Sequence, residues 1–331
     1  MKGNIVRIET CNLLRCTACR RGALKVSGPT PGPIIDNGCL LCSGCGASFN
    51  VRNGIPILLE ERILGGLSDS DSADKATRQK IQQREWHDHS HIDNGDNYKQ
   101  SAYRDPGLFA FLLHYQLREM EGVLAKRRYA RVANICCGHG FELEYVSRLS
   151  HDIIVADISL NSLYKTLAKA ATLGIQVEAL CCDAENLPLR DDSCDLVLTH
   201  HSLHHLANPM LGVEEMLRIS SSRIVFFEPA RGAMRTLVRF AGLKDEIEEA
   251  GNFVYEFSRA EVKELCRKTG YQLHFFSKCL ITGPTSEPRI FKQMDSARIS
   301  PVISSGITMA NRLLGGVIGT KCSVIIEKNG T

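Results

Sequence analysis

The stretch Val132-Ala133-Asn134-Ile135-Cys136-Cys137-Gly138-His139-Gly140 decides how this chain folds. A short apolar run ends in two glycines one residue apart. A helical pattern follows at once, Phe141-Glu142-Leu143-Glu144-Tyr145-Val146, with Leu149 on the same face. Strand, glycine turn and helix is the geometry that presents backbone N–H groups to a ligand at a helix N-terminus. Further apolar runs end at Asp157, at Cys182-Asp183-Ala184-Glu185-Asn186-Leu187-Pro188, at Thr199-His200 and at Glu228-Pro229. Asp157 lies about 20 residues past the glycines, where a carboxylate suits the paired hydroxyls of a ribose. Strands near 131–136, 152–157, 177–181, 194–199 and 222–228 alternate with helices near 140–149, 160–173, 209–219 and 259–269. That alternation predicts an α/β fold with a parallel, doubly wound sheet. Ligands of such sheets sit at the carboxyl ends of the strands. The expectation is one crevice lined by Asn134–Gly140, Asp157, Asp183, Thr199–His201 and Glu228.

The series resembles the class I S-adenosylmethionine-dependent methyltransferases, small-molecule type, over roughly residues 130–280. Asp-Ala-Glu-Asn-Leu-Pro at 183–188 and Leu203-His204-His205-Leu206 are close matches. The family writes its first motif as an acid, a small apolar residue and Gly-x-Gly-x-Gly. Here Asn134 stands for the acid and Cys136 for the first glycine, while Gly138 and Gly140 keep the second and third. The resemblance implies a Rossmann-like seven-stranded sheet and cofactor contacts at Asn134, Cys136, Gly138, Gly140, Asp157, Ile158, Asp183, Ala184 and Thr199. In that scheme the turn's N–H groups meet the amino acid carboxylate and Asp157 accepts from the ribose. Asp183 accepts from the adenine amino group, and Ala184 donates its N–H to the ring. Asn134 loses a charge that usually holds the cofactor's ammonium, so reduced affinity is expected. Asp157 has a second reading as an N-cap for the helix that follows, and both roles can hold at once.

Residues 1–60 form a unit of their own. Cys16-x-x-Cys19 and Cys42-x-x-Cys45 lie 22 residues apart, close to the spacing of a four-cysteine zinc site. Two tight turns would each deliver two thiolates to a tetrahedral ion, and with all four positions filled the zinc is structural. Cys39 competes to pair with Cys42; Gly44 and Gly46, flanking Cys45, favour Cys42 with Cys45. Alternation up to Asn53-Gly54 and the apolar run after it predict a hairpin. The unit resembles the zinc ribbon of methyltransferase activator subunits. Seven Lys or Arg stand against two acids between residues 1 and 59, a balance of +5 that fits either an RNA contact or a solvated face.

The whole chain has 331 residues and a net charge of only +3, which does not by itself imply a nucleic-acid partner. Its 14 cysteines include several inside apolar strands, the pattern of reduced thiols in a cytoplasmic protein. No run is long enough for a membrane span, and the N-terminus reads without a signal peptide. Residues 61–80, with Gly65-Gly66 and Ser68-Asp69-Ser70-Asp71-Ser72, read as a linker. Residues 81–130 read as a helical cap, carrying Trp86, Tyr98, Tyr103, Phe109 and Tyr115 as pocket or core aromatics. His87, His89 and His91 form an alternating cluster without a completing ligand set. The methyltransferase region is expected over 131–331, with insertions at 229–258 and 278–320. The second insertion, helical near Ile303–Leu314, either caps a substrate or forms a homodimer surface.

A histidine near its natural pKa suits removal of a proton from an acceptor. His200 and His201 end the fourth strand, and alternation turns only one of them inward. His200 is the first candidate base and His201 the second. The function expected is methyl transfer to a small-molecule acceptor. The alternatives are an RNA base methyltransferase, favoured by the basic ribbon, and a non-catalytic scaffold, favoured by Asn134 and Cys136.

Overall fold

The computed structural model describes residues 6–28, 32, 34–66, 73–89, 115–232, 251–279 and 301–329. The chain divides into two compact units. One comprises Met1–Ser90, Tyr129–Ile224 and Glu249–Asn252, and the other comprises His91–Arg128, Val225–Glu248 and Phe253–Thr331.

The first unit begins with β1 (Val6–Arg7), α1 (Ile8–Cys11), β2 (Leu24–Val26), β3 (Ile34–Ile35), β4 (Gly38–Cys42), β5 (Ser48–Arg52) and β6 (Ile55–Pro56). Strands β2, β4, β5 and β6 form a four-stranded sheet in that order. In β5 the alternation is strict: Phe49 and Val51 are buried, Ser48, Asn50 and Arg52 exposed. The expected hairpin closes through Asn53 and Gly54, at φ 49° and 73°. Left-handed φ at both turn residues is what a two-residue hairpin needs, and Asn-Gly supplies it cheaply. Register then pairs Arg52 with Ile55 and Val51 with Pro56.

Four parallel strands carry the glycine turn: β7 (Val132–Ile135), β8 (Ile153–Asp157), β9 (Glu178–Cys181) and β10 (Cys194–His200). Register pairs Asn134 with Val155 and with Leu198, and Asp157 with Cys181. These strands are buried on both faces, as a parallel sheet covered by helices requires. Between them run α5 (Leu143–Leu149), α6 (Leu160–Leu173) and α7 (Pro209–Ile219). Helix α6 starts where the Ser159 side chain accepts from the Ser162 N–H, and ends at Gly174 with φ 68°.

The N-terminal segment continues this sheet past its β9 edge. Ile57 bridges Cys181 in parallel, and the Leu58 N–H donates to the Cys181 carbonyl at 2.8 Å. Leu14 bridges Leu189, and the Arg15 N–H donates to the Pro188 carbonyl at 2.6 Å. Arg7 pairs with Asp152 and Glu178. An edge strand left open is a row of unpaired backbone groups, and here the chain covers its own.

The stretch read as a linker contains structure. Glu61–Leu64 is a helical turn, α2, and α3 spans Lys75–His89. Asp74 starts α3 by accepting from the Thr77 N–H at 2.8 Å. The serine-aspartate run 67–72 lies outside the described residues.

The second unit holds α4 (Tyr115–Leu124), α8 (Arg259–Thr269), β12 (Tyr271–Cys279), α9 (Pro301–Ile318) and β13 (Lys321–Lys328). Helix α8 opens with a reciprocal cap between Ser258 and Glu261 and closes at Gly270. Strands β12 and β13 are antiparallel, pairing Phe276 with Val324. Phe226 and Phe257 meet at 5.2 Å in this unit's core. Strand β11 (Ser220–Pro229) crosses the point where the units divide, and the seven strands run in the order β12-β13-β11-β10-β7-β8-β9. The fold is therefore the Rossmann-like α/β arrangement expected, with an antiparallel final strand. Among the described residues no helix is long and apolar enough to cross a membrane. His91, Tyr98, Tyr103 and Phe109, with residues 233–250 and 280–300 of the two insertions, lie outside the described residues.

Candidate metal centre and cofactor crevice

Two turns bring four thiols together. The sulfurs of Cys16, Cys19, Cys42 and Cys45 all lie within 4.8 Å of one another. Cys16 and Cys45 Sγ are 3.7 Å apart, and Cys19 and Cys42 Sγ 3.6 Å. Backbone N–H groups point at the sulfurs: Gly22 toward Cys19 at 3.3 Å, and Gly44 toward Cys42 at 3.3 Å. The amides of Arg21 and Gly22 push the Cys19 thiol down to about 6. A thiolate is the form a metal takes. The backbone is shaped to the cluster, since a Cβ on Gly22 would stand 2.2 Å from Cys42 Sγ. Four sulfur donors in one tight group fit a closed tetrahedral zinc site. Cys39, the competing candidate, points elsewhere, its Sγ 2.9 Å from Ser48 Oγ. No other metal-ligating group of three or more exists among the described residues. His89 places Nδ1 against the Glu85 carbonyl instead.

The glycine turn after β7 is a left-handed bend. Cys136, Gly138 and Gly140 have φ of 53°, 50° and 72°. Cysteine thus holds a conformation that glycine adopts without strain. A Cβ on Gly140 would lie 2.7 Å from Leu143 Cδ1, whereas one on Gly138 would meet nothing within 4 Å. The turn is tied from inside: the Gly138 N–H donates to Asp157 Oδ2 at 2.9 Å, and the Gly140 N–H to the Cys137 carbonyl at 2.8 Å. Thr166 donates to the Gly138 carbonyl at 2.6 Å.

Asp157 ends β8 and is buried. Its other oxygen, Oδ1, accepts from the Ser159 N–H at 2.9 Å. Burial pushes its pKa up, with nearby His87 and the two amides pulling the other way. Ile158 beside it is half-buried.

Asp183 and Ala184 are buried at the end of β9. Asp183 Oδ1 accepts from the Glu185 N–H at 2.9 Å, and Lys80 donates to Oδ2 at 2.7 Å. Lys80 also lies 2.8 Å from Glu185 Oε2. Burial pulls the Lys80 ammonium's pKa down, but the two carboxylates outweigh burial, and the net shift is upward.

Lys80 belongs to α3, which reaches this end of the sheet through polar side chains. Gln79 donates to the His205 and Leu206 carbonyls at 3.1 and 3.2 Å. Gln83 donates to Asn252 at 3.0 Å, and Asp88 accepts from Ser159 Oγ at 2.7 Å. Asn186, from the same loop as Asp183, donates to the Thr17 carbonyl beside Cys16 at 2.9 Å. The cysteine turn and the loop after β9 therefore share a hydrogen bond.

Beneath the glycine turn lies a buried polar cluster that the motif reading missed. Asn134 Nδ2 donates to Glu142 Oε2 at 3.1 Å, and His200 Nδ1 stands 3.4 Å from Glu142 Oε1. His200 stacks on Phe141 at 5.3 Å, and His201, with φ 52°, sets its ring edgewise on His200 at 4.3 Å. Thr199 alternates to the face opposite Asn134 and His200, because Leu198 is the residue in register with Asn134. An acid two residues past the last glycine, where the first motif carries Asn, is the sequence signal that could have found Glu142.

Residues 133–224 match the family model described as a methyltransferase domain. That stretch is similar to methyltransferase domains. Ahead of it stands the zinc-ribbon-like segment with its four-cysteine cluster. A curated relative, the ubiquinone biosynthesis O-methyltransferase of Parvibaculum lavamentivorans, is 30% identical over 80 residues. That match takes in 24% of this chain and 32% of the relative, so the chain spans about a third of that protein's length. The YcgJ protein of Bacillus subtilis is 19% identical, with a TM-score of 0.47 over 66% of this chain and 100% of that one. Magnesium protoporphyrin IX methyltransferase of Synechocystis, solved with bound SAH, is 10% identical, with a TM-score of 0.47 over 74% of this chain and 97% of that one.

The acceptors of the crevice match the donors of S-adenosylmethionine. Asn134 Oδ1 is fully buried and has no hydrogen-bond partner among the described residues. Open space lies where a Gly138 side chain would be. The carboxylates of Asp157 and Asp183 stand at the ends of neighbouring strands, each with acceptor capacity beyond its present bonds. These residues fit an amino acid end, a ribose and an adenine.

Proposed function

We propose that the protein transfers the methyl group of S-adenosylmethionine to a small-molecule acceptor. The observation that carries this reading is the glycine turn of the methyltransferase domain with Asp157 beside it and Asp183 one strand further, all at carboxyl ends. The cofactor would supply an electrophilic methyl on its sulfonium: the acceptor would bond to that carbon in line as the C–S bond breaks and S-adenosylhomocysteine leaves as the neutral thioether. Asp157 would take the ribose hydroxyls, a task suited to a carboxylate. Asp183 and Ala184 would take the adenine edge, with Gly138, Gly140, Cys136 and Ile158 walling the site. His200 would accept the acceptor's proton, with His201 as the second candidate. Glu142 Oε1 stands 3.4 Å from the Nδ1 side of that ring, which leaves Nε2 as the nitrogen to face an acceptor. The four cysteines would hold a structural zinc ion that fixes the two turns.

The ribbon's basic balance gives the RNA reading less support than its count suggests. Two of its cations are consumed within the protein, Arg7 by Asp152 and Glu178, and Arg15 by Glu215. The small-molecule reading also draws on the named relative, an O-methyltransferase of ubiquinone biosynthesis.

The test is a calorimetric titration of zinc-loaded protein with S-adenosylmethionine, repeated on Asp157→Ala with a thermal melt. Micromolar binding by the parent is the expected result, lost in the variant. No binding at millimolar cofactor would sink the reading in favour of a scaffold. The melt is needed because Asp157 also holds the Gly138 and Ser159 amides.

A further inference from the structure

Among the described residues, no lysine or arginine forms an ion pair with the buried Glu142 carboxylate. Its side chain is 5% exposed, and its close partners are the Asn134 amide at 3.1 Å and His200 Nδ1 at 3.4 Å. Lys169 feels its charge, which favours the ammonium against burial, but no ion pair joins them among the described residues. A buried charge is costly unless it is paired and hydrogen-bonded. One atom away, Asn134 Oδ1 is also buried and unbonded among the described residues. A carboxylate and a carbonyl-type oxygen, both acceptors, thus lie together under the glycine turn at the end of β7. Three donors on a primary ammonium would satisfy what this pair lacks.

We infer that Glu142 holds the primary ammonium of the cofactor's amino acid end, together with Asn134 Oδ1. This rests on the methyltransferase reading and deepens it. The negative charge absent at Asn134 is supplied eight residues later and held in place by the Asn134 amide itself. The substitution at Asn134 therefore moves the charge of the site without removing it, and the reduced affinity expected from Asn134 does not follow.

The test compares two ligands by calorimetry, S-adenosylhomocysteine and 5′-methylthioadenosine. The second keeps the adenosine and the sulfur but has no amino acid. Glu142→Gln should weaken S-adenosylhomocysteine at least tenfold and leave 5′-methylthioadenosine within about twofold. Returning the charge in the double variant Asn134→Asp, Glu142→Gln should recover at least threefold of the loss. Equal weakening of both ligands would mean that Glu142 only supports the turn, and no weakening would mean that it is not engaged; either result overturns the inference. A parent protein that binds neither ligand would instead defeat the methyltransferase reading on which the inference stands.

Discussion

The cysteine cluster and the cofactor crevice were both written in the sequence as short motifs, yet the fold treats them differently. At the cluster the four ligands turn toward one another, with amides aimed at sulfur and, among the described residues, no side-chain partner outside the group that competes for them. At the crevice the protein engages part of each expected ligand: Asp157 through two amides, Asp183 through Lys80, and the Asn134 amide nitrogen through Glu142. A closed metal site needs only its ligands and its turns. A site for a large, exchangeable ligand is built from groups that the protein satisfies in part when it is empty, and a polar helix does some of that here.

The sharpest way to break the comparison is at the metal. Cys42→Ser, or a strong chelator, should release one zinc per chain and unfold the N-terminal segment. The loss should exceed about 5 kcal/mol, because metal binding in such segments is folding energy. Since Thr17 is bonded to Asn186, the loss should also reach the loop after β9. Zinc content and hydrogen exchange at 183–188 would measure both. Gly22→Ala should lower zinc affinity without removing a ligand, because the new methyl meets Cys42 Sγ.

The next effect lies in the crevice. Lys80→Ala leaves Asp183 and Glu185 buried side by side without their shared cation. Removing one partner of a buried pair costs roughly 3 kcal/mol. Chemical denaturation should show that loss. An unchanged midpoint would mean that α3 does not bear on the loop.

These two regions also differ in how legible they were. The cluster and the Asn53-Gly54 hairpin were readable because their chemistry is local: Cys-x-x-Cys spacing and left-handed φ need no distant partner. The strand-end acids were readable because strand, turn and helix alternate plainly. Helix α3 was split between a linker and a cap, because it is held by Gln79, Lys80, Gln83, Arg84 and Asp88 and shows no apolar stripe for periodicity to find. Glu142 was hidden because its partners, Asn134 and His200, lie on separate strands. The pairing of Leu14 and Ile57 with the domain joins residues more than a hundred positions apart, which no local pattern encodes.

A smaller effect belongs to the turn itself. Cys136→Gly removes a side chain from a left-handed residue, which costs an L-residue about 1 kcal/mol. The expected gain is up to about 1 kcal/mol in denaturant unfolding, reduced by glycine's greater freedom in the unfolded chain. Affinity for S-adenosylhomocysteine should hold or rise. A loss of stability would mean that the thiol makes contacts worth more than the strain.

The smallest effect concerns His87, on the α3 face that bears on Asp157. Burial lowers its pKa from the usual value of about 6.5, and Asp157 and Asp88 oppose that while Lys165 adds to it. A lowered histidine binds its proton less readily folded than unfolded. Between the folded value and about 6.5 the unfolded chain therefore carries more protons, and stability rises with pH. Above about 6.5 both states are neutral and the contribution is flat. Buried Asp157 works in the opposite sense at lower pH, because its raised pKa favours the protonated acid in the fold. The comparison of His87→Gln with the parent cancels most of that background. The difference in unfolding free energy should climb as pH increases toward 6.5, no more steeply than about 1.4 kcal/mol per pH unit, and then level off. A difference independent of pH would mean that His87 titrates alike in both states, and that α3 shields the end of β8 less than the ion pair at Lys80 shields the end of β9.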